Sequence, residues 1–352
     1  MAGTRANGGT VRWGVVGCGW VARDFAIPAI RNPKSAAELV AVCDPDPASM
    51  TGLPETVARY AALDALLADE AVEAVYIATP NHLHAAQVVA AAEAGKAVLC
   101  EKPMATTPED AERMVGACRR AGVAYATAYD QRPHPAQARL ARPDLRNRLG
   151  IVTQVRLHYA CWLPAAWAKD NWRIDRARAG GGAAIDLAPH GLDLISLLLN
   201  ETPISVTALL QRAVQGYPVD DGAVITLAYP SGVLASMHVG YNCPDALPRR
   251  RIEIIGTEAM AVAENTMGQT PGGTLTLIDA HTGVAEPVAF DADRDPFERQ
   301  ISAFSAHLRS RTGDGGPDGA AFPGTPERDV ALTTLLLAAL DAADPKETSH
   351  AA

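Results

Sequence analysis

The sequence lacks features that would point to large or charged partners. Positive charge is in deficit, with 31 lysine and arginine residues against 40 acidic residues and a net charge of −9, which argues against nucleic acid or an anionic membrane surface as partner. No apolar run approaches the ~20 residues of a membrane span, and the first ten residues contain no apolar segment of a signal peptide. We therefore expect a small molecule as the partner.

Cysteine pairs of the C-x-x-C type are also missing. Several of the six cysteines lie within apolar, strand-like segments, which indicates reduced, buried thiols rather than a disulfide framework or a zinc site. We therefore predict a cytoplasmic protein without a bound metal. The six cysteines are Cys18, Cys43, Cys100, Cys118, Cys161 and Cys243.

Strand and helix patterns alternate from Val11 to about residue 130. A chain of 352 residues that is 48% apolar is long enough for two domains. The alternation predicts an α/β Rossmann domain with a parallel sheet over residues 1–130, preceded by a loose tail at 1–10. The expected strands are 11–17, 39–43, 75–78, 97–100 and 123–127, and the expected helices are 18–30, 62–68, 84–94 and 108–121.

The pattern changes after about residue 150. Strand-like segments separated by turn signals predict a second, α+β domain over residues 131–352, with a large, mainly antiparallel sheet and helices on one face. A surface loop at 314–325 and a terminal helix at 328–342 are expected to follow. The strand-like segments are 151–158, 205–211, 223–228, 234–239, 251–255 and 274–279.

The loop after the first predicted strand has the pattern G-x-G-x-x-A, which begins with Gly17 and Gly19. Glycines let the backbone approach a pyrophosphate, and the following helix presents free N–H groups to it. Asp44 follows the second strand, where a carboxylate accepts hydrogen bonds from ribose hydroxyls and repels a 2′-phosphate. We predict that this loop, with Trp20 and Val21, binds NAD rather than NADP; the alternative is a tight turn that binds no nucleotide.

Thr79, Asn81 and His84 follow the third predicted strand, at the edge where such sheets bind ligands. We expect them to contact the cofactor. His82 and His84 also form an H-x-H pair that could hold a metal ion, but no third ligand lies near them in the sequence. A structural role, such as capping the next helix, is the larger alternative for either histidine.

Glu101 and Lys102 follow the fourth predicted strand, at the same edge. An ammonium there would lie close to a nicotinamide ring, where it can stabilise a developing alkoxide or shuttle its proton if burial lowers its pKa. A surface lysine in a loop is the alternative.

Residues 180–193 are rich in glycine and carry Asp186 and His190 four positions apart, on one face of a helix. This spacing suits a histidine base with a carboxylate beside it. The alternative is that Asp186 caps the helix and His190 packs in the core. Pro189 fits the first turn of the predicted helix that carries the apolar run 192–199.

Trp162, Trp167 and Trp172, three of the five tryptophans, precede that segment, and Arg173 follows the last of them. Aromatic faces suit the C–H faces of sugars and cyclitols, and arginine suits polar or anionic substituents. Trp162, Trp172 and Arg173 are therefore candidate substrate contacts, with core packing as the alternative for each tryptophan.

Together these segments resemble the Gfo/Idh/MocA oxidoreductase family, which includes inositol dehydrogenase and glucose–fructose oxidoreductase. The resemblance extends from Val11 to the terminal helix and implies hydride transfer between NAD(P) and a secondary alcohol or ketone of a sugar, polyol or cyclitol. It also implies a homodimer or homotetramer built through the second sheet. The segments that carry it are 17–22, 78–84, 94–103 and 180–193.

The resemblance also implies roles for individual residues. Lys102 polarises the reacting oxygen, His190 is the general base, Asp186 supports it, and Glu101 lies beside the nicotinamide. Pro133 departs from the family pattern, because many relatives have an aromatic residue there, and this leaves the substrate-side wall open.

Two other functions fit the same sequence. One is a redox-assisted lyase or glycosidase, in which NAD stays bound and is reduced and reoxidised in each cycle. The other is a non-enzymatic NAD-binding regulator, against which the presence of Lys102, Asp186 and His190 together argues. Net release of NADH would separate a dehydrogenase from the lyase.

Overall fold

The computed structural model describes residues 9–169, 171–311 and 324–344. The predicted tail at 1–10 and the predicted loop at 314–325 lie almost wholly outside these ranges. The remaining predicted elements can be compared with the structure one by one.

Within the described residues, parallel strands form a first, six-stranded sheet in the order β3-β2-β1-β4-β5-β6. The direction of winding reverses between β1 and β4, which opens a crevice at the carboxyl ends of these strands. The Rossmann prediction is therefore confirmed, although the short edge strand β3 was not predicted. The strands are β1 Val11–Val16, β2 Ala37–Cys43, β3 Ala58–Tyr60, β4 Ala74–Ile77, β5 Ala97–Glu101 and β6 Tyr125–Ala128.

Helices cover both faces of this sheet. Helix α4 has the predicted bounds because both ends are encoded locally: the Thr107 hydroxyl accepts the Asp110 N–H at 3.1 Å, and Gly122 ends the helix with φ +69°. The predicted helix at 18–30 is a π-helical turn, Ala22–Ala26, followed by one α-helical turn. The helices are α1 Ile27–Ile30, α2 Leu63–Leu67, α3 His84–Glu93 and α4 Pro108–Ala121.

A helix late in the chain also packs on the first sheet. Phe304 of this helix contacts Trp13 of β1, with ring centroids 5.7 Å apart, and Phe297 stacks on Phe25 at 5.3 Å. The chain thus returns to the first sheet after forming the second, and the division at residue 130 stays a prediction.

The second sheet has the order β14-β13-β12-β11-β7-β10-β9-β8 in the described part of the chain. Only β7 and β10 pair in parallel there, so the mainly antiparallel prediction is confirmed. β12 and β14 were not predicted. The strands are β7 Val152–Ala160, β8 Ser205–Gln211, β9 Gly222–Ala228, β10 Leu234–Gly240, β11 Arg250–Gly256, β12 Ala259–Glu264, β13 Thr274–Asp279 and β14 Ala285–Pro287.

One face of the second sheet is buried and the other is open. Alternate residues such as Leu157 and Met237 point inward, whereas Leu209 and Leu234 on the outer face are 74% and 62% exposed. Helix α9 packs on the inner face. The remaining helices are α5 Pro135–Leu140, α6 Pro143–Arg146, α7 Ala165–Ala168, α8 Arg176–Ala179, α9 Ala183–Leu199, α10 Pro296–Arg311 and α11 Pro326–Ala343.

Helix α9 begins earlier than the sequence suggested. Pro189 lies inside the helix rather than in its first turn. The reason is a distant cap: the Asp220 carboxylate accepts the N–H groups of Gly182 and Ala184 at 2.9 and 2.7 Å and holds the first turn. By length and composition, the stretch Arg176–Leu199 is the one described helix that could cross a membrane, but 89% of its apolar window is buried inside the protein.

Candidate active site

A cleft lies at the carboxyl edge of the first sheet, against the first turn of α9. It brings together ten of the predicted site residues from segments far apart in sequence. Its lining residues are Gly19, Trp20, Val21, Ala78, Thr79, Asn81, Glu101, Lys102, Trp172, Arg173 and Asp186.

Gly17 and Gly19 of the glycine loop differ in their surroundings: Gly17 is packed against the end of β4, whereas Gly19 has open space beside it. Gly17 has φ +86°, and a Cβ there would lie 2.8 Å from the carbonyl oxygen of Ala78, so a side chain cannot fit between β1 and β4. A Cβ on Gly19 would have no atom within 4 Å, because this residue faces the open cleft. The loop therefore fits the close approach of a pyrophosphate.

Asp44 is held against the glycine loop. Its carboxylate accepts the N–H of Cys18 at 2.8 Å and that of Asp46 at 2.9 Å. Burial, together with the charge of Asp44, raises the pKa of the Cys18 thiol to about 12, so this thiol stays neutral. The loop thus carries one fixed negative charge, at the position predicted to meet the adenosine ribose.

Lys102 and Asp186 join the two halves of the cleft. Lys102 Nζ lies 2.6 Å from Asp186 Oδ1 and 3.0 Å from the Asp186 carbonyl oxygen. The other carboxylate oxygen of Asp186 accepts the Tyr241 hydroxyl at 2.6 Å. Asp186 is therefore part of a three-residue contact and is not the helix cap.

The charge of Asp186 is strongly favoured. Burial alone would raise the pKa of this carboxyl, but the positive charges of Lys102 and Arg173 and the hydrogen bonds from Lys102 and Tyr241 more than offset it. The pKa of Asp186 is therefore held well below its usual value.

The Glu101 carboxyl, in contrast to that of Asp186, has a raised pKa. It accepts a hydrogen bond from the Tyr76 hydroxyl and one from the Lys102 N–H at 3.3 Å. Burial nevertheless raises its pKa to about 7, against the lowering effect of the Lys102 charge. The cleft thus contains one permanently ionised carboxylate and one that titrates near neutral pH.

The segment after β4 connects the first sheet to the second half of the chain. Asn81 donates to the Ala179 carbonyl at 2.8 Å, and His82 lies 3.2 Å from the Arg178 carbonyl. His84 is fully buried, with its ring nitrogens 3.0 Å from the carbonyls of Pro103 and Thr79. His84 therefore braces the loop that carries Lys102, and its ring does not line the cleft.

The described residues contain no further ligands for the metal ion that the H-x-H pair could have held. Among the residues that the structure describes, no group of three or more histidine, cysteine or acidic side chains is placed to hold a metal ion. The six cysteines, all within the described ranges, are free thiols.

The predicted substrate contacts divide into two groups. Trp172 and Arg173 line the cleft, and the guanidinium of Arg173 stacks 4.6 Å from the Trp172 ring centroid. Trp162 instead bridges to Asn242 and is 36% exposed, and Trp167 on α7 is also exposed. The structure therefore places Trp172 and Arg173, but not Trp162, beside Lys102 and Asp186.

His190 lies one turn beyond Asp186 and is deeply buried. Its Nδ1 is 3.2 Å from Asp130 Oδ1, and its ring meets the rings of Tyr129 and Tyr159 edge-on. In the described part of the chain, it does not belong to the cleft lining. The carboxylate beside His190 is thus Asp130, whereas the sequence spacing had suggested Asp186.

Sequence reasoning missed Asp130, Tyr76 and Tyr241. Asp130 comes directly after β6, so the strand-end rule that found Lys102 would also have found it. Tyr241 follows β10 of the second sheet, and its contact with Asp186 depends on packing that the sequence does not encode locally.

Comparison with known proteins identifies the family. Residues 11–129 match the model of an oxidoreductase family with an NAD-binding Rossmann fold, and residues 145–262 match the GFO/IDH/MocA C-terminal domain. The chain is 32% identical to 1,5-anhydro-D-fructose reductase from Ensifer adhaerens, over 96% of this chain and 99% of that one. It is 30% identical to an NADP(+)-dependent D-xylose 1-dehydrogenase from Haloarcula marismortui, over 87% and 86% of the two chains.

A solved structure shows the same fold. Aldose-aldose oxidoreductase from Caulobacter crescentus superposes with a TM-score of 0.81, at 24% identity, over 95% of this chain and 97% of that chain. Both halves of the chain and the order of their motifs agree with these matches. The protein belongs to the Gfo/Idh/MocA family of NAD(P)-dependent oxidoreductases, as its sequence motifs predicted.

Proposed function

We propose that this protein is an NAD-dependent dehydrogenase or reductase of a sugar, polyol or cyclitol, with Lys102, Asp186 and His190 as its acid–base residues. The observation that carries the proposal is the 2.6 Å contact between Lys102 and Asp186 in a cleft shared by the glycine loop and α9. The nicotinamide cofactor, when bound, accepts or supplies the hydride at the substrate carbon.

Lys102 is prepared to polarise a substrate oxygen. An ammonium has three N–H donors, and Lys102 directs two of them to the carboxylate and carbonyl oxygens of Asp186. The third is left for the hydroxyl or carbonyl oxygen of the substrate. Because Asp186 is permanently ionised, it keeps Lys102 oriented and charged while the oxygen develops negative charge.

In this proposal His190 accepts and donates the proton of the substrate hydroxyl. In the oxidative direction it takes the proton of the substrate hydroxyl, and in the reductive direction it returns that proton to the oxygen. Arg173 and Trp172 contact the remaining polar and C–H surfaces of the substrate.

The residues of the loop favour NAD over NADP. Gly17, Gly19, Trp20 and Val21 would hold the pyrophosphate side, and Asp44 would accept the ribose hydroxyls. The segment 45–58 contains no lysine or arginine that could pair with a 2′-phosphate. Arg59, which follows it, donates to the backbone carbonyls of 50, 53, 54 and 57.

The cofactor proposal is tested by comparing kcat/KM for NAD⁺ and NADP⁺. We expect at least a tenfold preference for NAD⁺, and Asp44→Ser should reduce it by removing the negative charge while keeping a hydroxyl acceptor. A wild-type preference for NADP⁺ would contradict the assignment.

The reaction is tested with purified protein and a panel of inositols, aldoses, aminocyclitols and sugar phosphates. The panel should include D-xylose and 1,5-anhydro-D-fructose, for which the two relatives are named. We expect stoichiometric NADH formation or consumption with at least one member, and His190→Ala and Lys102→Ala should lose it. Substrate conversion without net NADH would instead favour the lyase, and binding of NAD without turnover of any member would favour the regulator.

The open face of the second sheet is the proposed dimer interface. Leu209 of β8 and Val224 of β9 are direct neighbours on this face and are 74% and 41% exposed, and Leu234 of β10 adds a further apolar side chain. An open, partly apolar sheet face of this kind is a typical subunit contact. We also place the enzyme in the cytoplasm, where free thiols such as these persist.

A further inference from the structure

His190 faces a carboxylate that its sequence spacing did not suggest. Its Nδ1 lies 3.2 Å from Asp130 Oδ1. Asp186, one turn earlier in α9, is contacted by Lys102 on one oxygen and by Tyr241 on the other. The carboxylate in contact with the His190 imidazole is therefore that of Asp130.

The two side chains meet in a dry environment. Asp130 is 3% exposed and His190 is 2% exposed. The rings of Tyr159 and Tyr129 enclose the imidazole edge-on, with centroids 5.4 and 6.5 Å away. Electrostatic interactions are strong in such surroundings because little water screens them.

Burial of the Asp130 carboxylate lowers the stability of the fold. Its second oxygen, Oδ2, is buried and has no hydrogen-bond partner among the described residues. A buried carboxylate that is only partly satisfied lowers stability and calls for a functional explanation. The Gln300 side-chain amide lies 3.0 and 3.3 Å from the N–H groups of Tyr129 and Asp130, and its oxygen accepts both when the amide is oriented by its hydrogen-bond partners.

The other groups near Asp130 leave its charge available to His190. His134 also faces it, but burial lowers the pKa of His134 to about 4, so this ring is neutral under working conditions. Glu101 lies near enough to interact with Asp130 but has the same sign of charge. The phenols of Tyr129 and Tyr159 stay protonated because burial raises their pKa values.

We propose that Asp130 is the positioning residue for His190: it holds the proton on Nδ1 and so leaves the lone pair of Nε2 to accept a proton. In the oxidative direction the hydroxyl proton moves to Nε2, and the Asp130 carboxylate stabilises the imidazolium that forms. In this structure Nδ1 is at contact distance from Asp130 Oδ1 without an aligned hydrogen bond; catalytic hydrogen bonds are often poorly aligned in the absence of substrate. This inference rests on the proposed role of His190 as the base.

The kinetic test compares Asp130→Asn, His190→Ala and the double variant. We expect Asp130→Asn to lower kcat by about 10²-fold with little change in KM, and the double variant to be no slower than His190→Ala, because the two residues act as one unit. Asp279→Asn, at the exposed end of β13, is the control and should leave kcat and KM unchanged.

Two results would overturn the inference. One is an equal loss of kcat when Asp130→Asn is made in the wild-type and in the His190→Ala backgrounds. The other is a wild-type kcat in Asp130→Asn. Either would mean that Asp130 does not act through His190.

A spectroscopic test separates this inference from the proposed function. ¹⁵N NMR of the histidine rings in the full-length wild-type protein should show neutral His190 with its proton on Nδ1, and Asp130→Asn should change this signal. A proton on Nε2 in the wild type would overturn the inference even if the variant failed to fold. If His190→Ala kept full activity, the role of His190 as base would fail, whereas the NMR result would still report whether Asp130 controls the ring.

Discussion

Replacing Lys102 by methionine keeps most of the side-chain length and removes the ammonium that connects the two halves of the site. The ammonium makes two contacts with Asp186, at 2.6 and 3.0 Å. The Lys102 and Asp186 side chains are only 14% and 24% exposed, so water screens the pair much less than it screens a surface ion pair.

The expected kinetic effect follows from the proposed role of the third N–H of Lys102 as a donor to the substrate oxygen. A single preorganised donor to a developing oxyanion contributes about 2.7–4 kcal/mol, or 10²–10³ in kcat. We therefore expect Lys102→Met to lower kcat and kcat/KM together by about 10²-fold or more, because the donor acts mainly on the transition state. Cofactor affinity should change much less.

The same variant should alter stability in a pH-dependent way. The depressed pKa of Asp186 contributes stability that is present above its unfolded value of 3.8 and is lost as pH falls below it. Lys102→Met removes the main charge that depresses this pKa, so the variant should lose about 1–3 kcal/mol of unfolding free energy at pH 7. The difference from the wild type should stay constant down to about pH 4 and shrink only as pH falls below 3.8.

Initial rates on the substrate found by the panel, and urea unfolding at pH 7 and at about pH 2.5, below the unfolded pKa of Asp186, measure the two effects. Lys34→Met, which changes an exposed lysine far from the cleft, is the matched control. A Lys102→Met enzyme with wild-type kcat would refute the assignment of this lysine. A stability loss that is the same at both pH values would refute the account of its contact with Asp186.

Three further predictions address other parts of the structure. Asp220→Ala should lower the unfolding free energy by about 1–3 kcal/mol and also reduce kcat, because it uncaps the turn that carries Asp186; unchanged chemical unfolding would contradict this. Replacing Leu209 and Leu234 together by lysine should convert the proposed dimer to a monomer in light scattering, while Lys34→Met should leave the measured mass unchanged. In the wild type, the raised pKa of Glu101 favours the protonated folded state, so stability should fall as pH rises from about 4.5 to about 7. Glu101→Gln should remove this pH dependence, and parallel stability–pH curves for the two proteins would exclude this account.

Helices and strands whose ends or faces are encoded by nearby residues were predictable from the sequence. Helix α4 has a capping threonine, a proline at its first position and a terminal glycine, and β8 and β13 alternate between inner and outer faces. The strands that were missed, β3, β12 and β14, have no such complete pattern. The start of α9 was misplaced because its cap, Asp220, is contributed from 38 positions beyond Gly182.

The sequence could predict only those residues of the candidate site whose position is set by the first sheet. Parallel strands place their carboxyl ends at one edge, so Thr79, Asn81 and Lys102 could be grouped without a structure. The partners of Asp186 and His190 depend instead on how the second half of the chain packs over that edge. Spacing on a helix assigned both to one unit, whereas the packing gives Asp186 to Lys102 and His190 to Asp130.

The two carboxylates next to Lys102 constrain how any pH dependence can be interpreted. Asp186 stays ionised because two cations face it, whereas Glu101 titrates near pH 7 because burial outweighs its hydrogen bonds. Opposite environments of this kind separate the roles of paired acids. A kinetic transition near neutral pH is therefore expected from Glu101, and Glu101→Gln should remove it. Asp130→Asn should move the same transition to lower pH, because the charge of Asp130 contributes to the raised pKa of Glu101.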